Sequence, residues 1–144
     1  MENGKKILLF LVDDDALFLK SLEIEFAQNT ETAIQTFATG ELCLEHLEQN
    51  PDVIVLDYFL NSVDKNAIDG LETLDRIKKV NLKIPVIMLS SQDKIEVAVN
   101  CMQHQAFDYI VKSETAFVRL QKAITTIFHY QNIEKALSWY MEKM

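Results

Sequence analysis

The sequence predicts an α/β fold, in which a doubly wound, five-stranded parallel sheet is covered by helices on both faces. Four apolar runs, residues 7–12, 53–56, 85–89 and 107–111, are rich in Ile, Leu and Val. They are too short for typical helices and have the continuous apolar character of strands buried on both faces. Residues 33–37 alternate apolar and polar side chains, as an edge strand does. Amphipathic segments separate the strands, and such alternation is typical of a parallel sheet.

Helices are predicted between the strands, where apolar residues recur every three or four positions. The recurring residues are Leu17, Phe18, Leu22 and Phe26, then Leu42, Leu44 and Leu47, then Leu71, Leu74 and Ile77, and finally Ile95, Val99 and Met102. Asp15 is the best candidate for the N-cap of the first helix, because aspartate favours that position. Asp93, followed three residues later by Glu96, resembles a capping box at the start of the fourth helix.

The last segment, residues 113–144, is longer than this pattern requires. Its apolar residues are spaced as in a helix, with a one-residue phase shift after Ile127; they are Phe117, Leu120, Ile124 and Ile127, followed by Tyr130, Ile133, Leu137, Tyr140 and Met144. A helix of about 30 residues would be ~45 Å long, more than a small domain needs. We therefore predict a domain over residues 1–126 and a helical extension over residues 127–144. The extension is expected to pack on a partner, with a homodimer as one arrangement, or to continue as a connector.

Composition excludes several classes of function. The length of 144 residues fits one domain. The net charge of −8 repels phosphate backbones, so direct nucleic-acid binding is not expected. No segment approaches the ~20 apolar residues that cross a bilayer, and the apolar run after Lys6 ends at Asp13 without a signal-peptide cleavage site. We expect a cytoplasmic protein without membrane association, in which Cys43 and Cys101 are ordinary buried thiols.

Polar residues follow the predicted strands at one edge of the sheet. Asp13 and Asp14 follow the first strand, Asp57 the third, Ser90 the fourth and Lys112 the fifth. Ligands of open α/β sheets bind beyond the carboxyl ends of the strands, so these side chains are expected to converge. An all-oxygen ligand set with open positions suits Mg²⁺. A divalent ion, an ammonium group and a hydroxyl around one carboxylate are the groups needed to transfer a phosphoryl group onto that carboxylate.

In their order along the chain, these motifs resemble the receiver domains of two-component response regulators. The matching segments are Val12-Asp13-Asp14, Val55-Leu56-Asp57, Asp69-Gly70-Leu71, the strand from Pro85 to Ser90, and the strand from Asp108 to Lys112. The resemblance covers residues 5–126. It implies the flavodoxin-like strand order 2-1-3-4-5 and a role in phosphorelay signalling.

The resemblance implies a metal site and a phosphoacceptor. Asp57 would accept a phosphoryl group from a partner histidine kinase or phosphotransfer protein. Mg²⁺ would be bound by Asp13, Asp14 and Asp57 and by the backbone carbonyl of Phe59. No histidine of this chain is a convincing phosphodonor, so the phosphoryl group is expected to come from outside.

The resemblance also implies a switch. Ser90 and Lys112 would each contact an oxygen of the phosphoryl group. Ser90 would move toward that group and Tyr109 would turn inward, which changes the surface formed by the fourth helix, fifth strand and fifth helix. An effector protein, whose identity the sequence does not specify, would bind that surface.

Three features depart from the pattern of the family. Leu60 and Asn61 stand where Met-Pro is usual. The Asp-Gly pair begins 12 residues after Asp57 rather than about seven, so an enlarged loop, residues 61–68, holds about five extra residues beside the predicted site. Ser113 replaces the proline that often follows the lysine, which leaves the geometry after Lys112 open.

Two other functions are compatible with an acidic site on a parallel sheet. A haloacid-dehalogenase-type phosphatase also uses an aspartyl nucleophile, but it requires a general acid two residues later, where this chain has Phe59. A vestigial receiver would act only as a binding module. We favour the phosphorelay receiver, which accepts and loses a phosphoryl group but is not a turnover enzyme.

Overall fold

A computed structural model describes residues 6–144 as a five-stranded parallel sheet flanked by helices. The strands are β1 (Ile7–Val12), β2 (Thr32–Phe37), β3 (Val53–Asp57), β4 (Val86–Ser90) and β5 (Asp108–Val111). Their order across the sheet is β2-β1-β3-β4-β5, and every neighbouring pair is parallel. This confirms the predicted fold class and strand order, with the alternating segment at the edge of the sheet.

Helices cover both faces of the sheet. They are α1 (Ala16–Ala27), α2 (Gly40–Glu45, followed by a 3₁₀ turn, Leu47–Gln49), α3 (Gly70–Val80), α4 (Ile95–Gln103) and α5 (Ala116–Lys143). Side chains of α1 and α5 pack on one face, and those of α2, α3 and α4 on the other. Successive strand residues point to opposite faces. Phe10 therefore joins one core and Leu9 the other, which is why the strands are continuously apolar.

Aspartates cap two of the helices. Asp15 accepts a hydrogen bond from the Phe18 amide at 3.2 Å, as predicted, and Asp69 caps α3 in the same way. The capping box predicted at Asp93 is wrong. Helix α4 begins at Ile95, so Lys94 occupies the cap position and makes no side-chain capping bond. Asp93 lies one residue outside the position from which a side chain could satisfy the first free amides.

The apolar residues that predicted α4 are all exposed, whereas among those that predicted α1, α2 and α3 only Leu17 and Leu42 are exposed. Ile95, Val99 and Met102 are 76%, 47% and 46% exposed, whereas Cys101 is fully buried. The helix packs through the Cys101 side and presents its regularly spaced apolar residues to solvent. A helical period shows which residues share a face, but does not show which side of the helix meets the sheet.

Helix α5 is continuous over 28 residues, which confirms the extended C-terminal helix. Its first half is packed through Ala116, Leu120, Ala123 and Ile127, all buried. The five residues that carry the predicted apolar spacing beyond Ile127 are exposed; we call them the distal stripe (Tyr130, Ile133, Leu137, Tyr140 and Met144). No helix within residues 6–144, α5 included, is long and apolar enough to span a membrane. The division at residue 126 stays a prediction, since the helix passes through it.

Candidate functional site

Three aspartates and a lysine meet at the carboxyl edge of the sheet. Asp13 and Asp14 follow β1, Asp57 is the last residue of β3, and carboxylate oxygens of all three lie within 4.8 Å of one another. Lys112, directly after β5, places its Nζ 2.8 Å from Asp13 Oδ2 and 3.5 Å from Asp57 Oδ1. The structure thus brings together four of the residues that sequence analysis selected.

Asp13 and Asp57 are almost completely buried, and both are 2% exposed. The backbone amide of Asp13 donates to the Phe37 carbonyl at 3.0 Å, and its carboxylate accepts from the Asp15 amide at 2.9 Å. These bonds fix Asp13 between the ends of β1 and β2 and the start of α1. Asp14, by contrast, is half-buried and turns toward the enlarged loop.

Burial and crowding change the acidity of this site. The pKa of the Asp57 carboxyl is raised to about 7, first by burial and then by the neighbouring Asp13, while Lys112 opposes the rise. The pKa of Lys112 is raised because the two carboxylates outweigh the effect of its own burial. A single lysine does not fully compensate two buried carboxylates, so a second cation would be bound favourably here.

The ligand atoms at this edge fit Mg²⁺. Three carboxylates offer hard oxygen donors, and Asp14 lies on the side that is open to solvent. The backbone carbonyl of Phe59, the predicted fourth donor, is close enough to Asp14 for the Ser62 hydroxyl to contact both groups. All-oxygen sets that leave room for water are the sets Mg²⁺ prefers.

The enlarged loop is bound to the site through Asp14. Oδ2 of Asp14 accepts hydrogen bonds from the Ser62 hydroxyl at 2.6 Å, the Ser62 amide at 3.1 Å and the Val63 amide at 3.2 Å. Sequence analysis missed Ser62. The only signal was the added loop length, because serine is common in turns and neither a motif nor a period marks this one.

Ser90 and Tyr109 lie on the other side of the site and are linked through Gln92. Ser90 is fully buried, and its hydroxyl accepts a hydrogen bond from the Gln92 amide at 3.0 Å. The Tyr109 hydroxyl donates to the Gln92 carbonyl at 2.5 Å, and its ring packs against the core beneath α4. The contacts described for the two side chains therefore join them to the β4–α4 turn rather than to the acidic cluster.

Gly70 positions the start of α3 against the end of β3. Its amide donates to the Tyr58 carbonyl at 3.0 Å, and a Cβ at this position would lie 2.2 Å from the Asp57 carbonyl oxygen. Only glycine allows the two backbones to approach this closely. The extra residues of the enlarged loop therefore bulge outward while α3 keeps its contact with the site. Leu60, where methionine is usual, is buried in the core.

Sequence comparison places most of the chain in one family. The family model described as the response regulator receiver domain matches residues 9–125. A protein-glutamate methylesterase/protein-glutamine glutaminase of Treponema pallidum is 34% identical over 127 residues, which are 83% of this chain and 30% of that protein. The DNA-binding transcriptional regulator NtrC of Escherichia coli is 32% identical over 128 residues, which are 86% of this chain and 25% of NtrC. The chain therefore spans less than a third of either relative.

Solved structures give the same result. The crystal structure of the CheX-CheY-BeF₃-Mg²⁺ complex from Borrelia burgdorferi contains a chain that is 25% identical and superposes with a TM-score of 0.74. The match covers 87% of this chain and 91% of that one. The receiver domain of NtrX from Brucella abortus is also 25% identical, with a TM-score of 0.68, over 82% of this chain and 98% of that domain.

Proposed function

The chain belongs to the receiver-domain family of two-component response regulators, and on that premise we propose that Asp57 is its phosphoacceptor. The observation that carries this proposal is the contact of one lysine, Lys112, with both Asp13 and Asp57 at the edge of the sheet. The donor would be a phosphohistidine of a histidine kinase or phosphotransfer protein. An effector protein would respond to the changed surface.

In the proposed reaction, the ionised Asp57 carboxylate attacks phosphorus. An oxygen–phosphorus bond forms as the phosphorus–nitrogen bond of the donor breaks, and the departing imidazole keeps the electron pair and takes up a proton from solvent. The Lys112 ammonium, already beside Asp57, would pair with a phosphoryl oxygen once the carboxylate has become an acyl phosphate. Because the pKa of Asp57 is about 7, binding of a cation that favours the ionised form would also favour the nucleophile.

Asp13, Asp14, Asp57 and the carbonyl of Phe59 would hold Mg²⁺. When bound, the ion supplies positive charge that neutralises the phosphoryl oxygens during transfer. The chain itself contributes the arrangement of the donors: Asp13 and Asp57 are fixed by burial, and Asp14 faces the open side.

The buried thiols of Cys43 and Cys101 are unpaired, which supports the proposal that the protein acts in the reducing cytoplasm.

Ser90 and Tyr109 are proposed to form the switch. Both are hydrogen-bonded to Gln92, so a movement of the Ser90 hydroxyl toward a phosphoryl group would disturb the turn that also holds the tyrosine. That turn leads into α4, whose exposed residues Ile95 and Val99 would then change position. This surface, with β5 and α5, is where an effector would bind.

The distal stripe is proposed to pair with the distal stripe of a second copy in antiparallel orientation. All five stripe residues are exposed. An antiparallel arrangement that places Leu137 level with Tyr140 of the other copy also places Ile133 level with Met144. Apolar side chains of the two stripes then meet on both sides of the centre of the contact, which favours this orientation.

Sedimentation of Leu137→Glu tests this pairing. We expect the native chain to dimerise and the variant to be monomeric, because a charge would enter the centre of the apolar contact. Trp139→Glu, at an exposed apolar residue outside the stripe, is the matched control and should remain dimeric. A native chain that is monomeric at all concentrations would contradict the proposal.

Intact-mass measurement after incubation with acetyl phosphate tests the phosphoacceptor. We expect one phosphoryl adduct in the presence of Mg²⁺, and its loss in chelator and in Asp57→Asn. Asp64→Asn, in the exposed enlarged loop, is the control and should retain the adduct. An adduct that persists in Asp57→Asn would refute the assignment.

The same samples address the two alternative functions. A phosphatase would release phosphate from esters with many turnovers, whereas a receiver forms one adduct per chain. Phe59 stands where the phosphatase needs its general acid, so no such turnover is expected. A folded native chain that neither binds Mg²⁺ nor forms an adduct with its kinase would instead be a binding module.

A further inference from the structure

The enlarged loop is fixed at both of its ends by acidic side chains from other elements. At its start, Ser62 and Val63 donate three hydrogen bonds to Asp14. At its end, the Ile68 amide donates to Glu41 at the start of α2 at 3.1 Å. The middle of the loop is held locally, because Asp64 accepts hydrogen bonds from the amides of Asn66 and Ala67.

The Ser62 hydroxyl lies between two groups of the proposed metal site, the Asp14 carboxylate and the Phe59 carbonyl. Its oxygen is 2.6 Å from Asp14 Oδ2 and 3.3 Å from the Phe59 carbonyl oxygen. A carboxylate oxygen has two lone pairs, and Asp14 Oδ2 already faces three donors. The lone pairs of Asp14 Oδ2 are therefore already used by hydrogen bonds from the loop.

The donors around Asp14 oppose a cation rather than helping to bind it. Two of them are backbone N–H groups, which have no lone pair to offer a metal and present the positive end of their dipoles. The third is a hydroxyl whose hydrogen is directed at the same carboxylate. A cation that takes up Asp14 Oδ2 must displace at least part of this arrangement.

We propose that the Ser62–Val63 turn competes with Mg²⁺ for Asp14, so that the start of the enlarged loop is released from Asp14 when the metal binds. This inference rests on the proposed metal site and adds a positioning residue, Ser62, to it. Because the coupling is reciprocal, the free energy that the turn gains by binding Asp14 lowers the affinity for Mg²⁺ by the corresponding factor. Metal binding would thereby change the conformation at the start of the loop.

Calorimetric titration with Mg²⁺ alone tests the competition. We expect the dissociation constant of Ser62→Ala to be about three- to tenfold lower than that of the native chain, the range given by loss of one competing hydrogen bond. Ser138→Ala removes an exposed serine hydroxyl on α5 and should leave the constant unchanged. Ser62→Thr keeps the hydroxyl and should restore the native value. Affinity that is equal or weaker in Ser62→Ala overturns the proposal.

Hydrogen exchange measured by NMR gives a second readout that does not depend on affinity. Mg²⁺ is expected to accelerate exchange at the Ser62 and Val63 amides, which lose their acceptor. The Asn66 and Ala67 amides of the same loop are bonded to Asp64 and should not change. Exchange at Ser62 and Val63 that is unchanged at saturating Mg²⁺ overturns the release of the turn. If neither the native chain nor Ser62→Ala binds Mg²⁺, the metal site itself is refuted, which is distinct from a failure of the competition alone.

Discussion

The two halves of the site are held by different kinds of interaction. Asp13, Asp57 and Lys112 form a buried half, in which charges contact each other directly and the lysine side chain is only 17% exposed. Asp14 and Ser62 form a solvent-facing half, in which one carboxylate is held by hydrogen bonds from a surface loop. Charges in the buried half interact strongly, whereas hydrogen bonds in the other half are exchanged readily for water or a cation. Asp57, the proposed phosphoacceptor, is thus fixed, whereas Asp14, a proposed metal ligand, can change its hydrogen-bond partners.

Removal of the Asp57 charge should have the largest effect on stability. The pKa of Asp57 is about 7 in the folded chain, against 3.8 for an unperturbed aspartate, so the folded state binds the proton more tightly. The Asp57 carboxyl therefore makes its full contribution to the free energy of unfolding below about pH 4, and this contribution is lost as the pH rises through about 7. Asp57→Asn should raise the free energy of unfolding by about 2–4 kcal/mol at about pH 8 in chelator.

Urea unfolding from about pH 4 to about pH 8 measures this difference. The native chain should lose stability relative to Asp57→Asn across the window, and added Mg²⁺ should recover part of the loss. Asp64→Asn, in which the charge is exposed, should follow the native curve. If the free energy of unfolding changed with pH in the same way for the native chain and Asp57→Asn, the buried charge of Asp57 would not be destabilising.

A disturbance of the backbone beneath the buried half should have an intermediate effect. The Cβ of Gly70→Ala would lie 2.2 Å from the Asp57 carbonyl oxygen, so α3 and the end of β3 must separate. We expect a loss of about 1–3 kcal/mol in unfolding free energy and slower phosphorylation by acetyl phosphate. Gly40→Ala is a matched control, because its Cβ would meet the Thr73 side chain instead. Gly40→Ala should lower the free energy of unfolding but slow phosphorylation less than Gly70→Ala does. Equal slowing of phosphorylation by the two variants would contradict a specific role for the contact between Gly70 and Asp57.

A change confined to the solvent-facing half should have the smallest effect on stability. Asp14→Asn keeps an oxygen that can accept from the loop, so unfolding free energy should change by less than about 1 kcal/mol. Affinity for Mg²⁺ should fall by about tenfold or more, because a charged ligand is lost. Calorimetry and urea unfolding of the same preparation give both quantities. A large loss of stability would place Asp14 with the buried half.

The buried half could be predicted from sequence because strand ends meet by geometry. Once Asp13, Asp57 and Lys112 are assigned to the ends of parallel strands, the topology leaves them at one edge. The solvent-facing half could not be predicted in the same way. The contact between Ser62 and Asp14 depends on the backbone path of an enlarged loop, which has neither a period nor a required turn sequence.

Helices show the same limit. The spacing of apolar residues predicted all five, yet Ile95 and Val99 of α4 face solvent while Cys101 packs inward. In α5 the buried stripe ends at Ile127 and the apolar residues beyond it move to an exposed face. Periodicity identifies the residues that share a face of a helix. Whether that face is buried depends on how far the rest of the fold extends along the helix, and the packed core beneath α5 ends near Ile127.

The part of α5 beyond Ile127 also has a mechanical consequence. Its 16 residues to Lys143 extend ~24 Å from the last buried contact, at 1.5 Å per residue. A tilt of about 10° at that contact would displace the tip by ~4 Å, several times the movement at the base. The helix begins four residues after Lys112, and the Ala116 amide donates to the Ser113 carbonyl. A change in the direction of α5 that begins at this edge of the sheet would therefore be enlarged along the helix by the time it reaches Lys143.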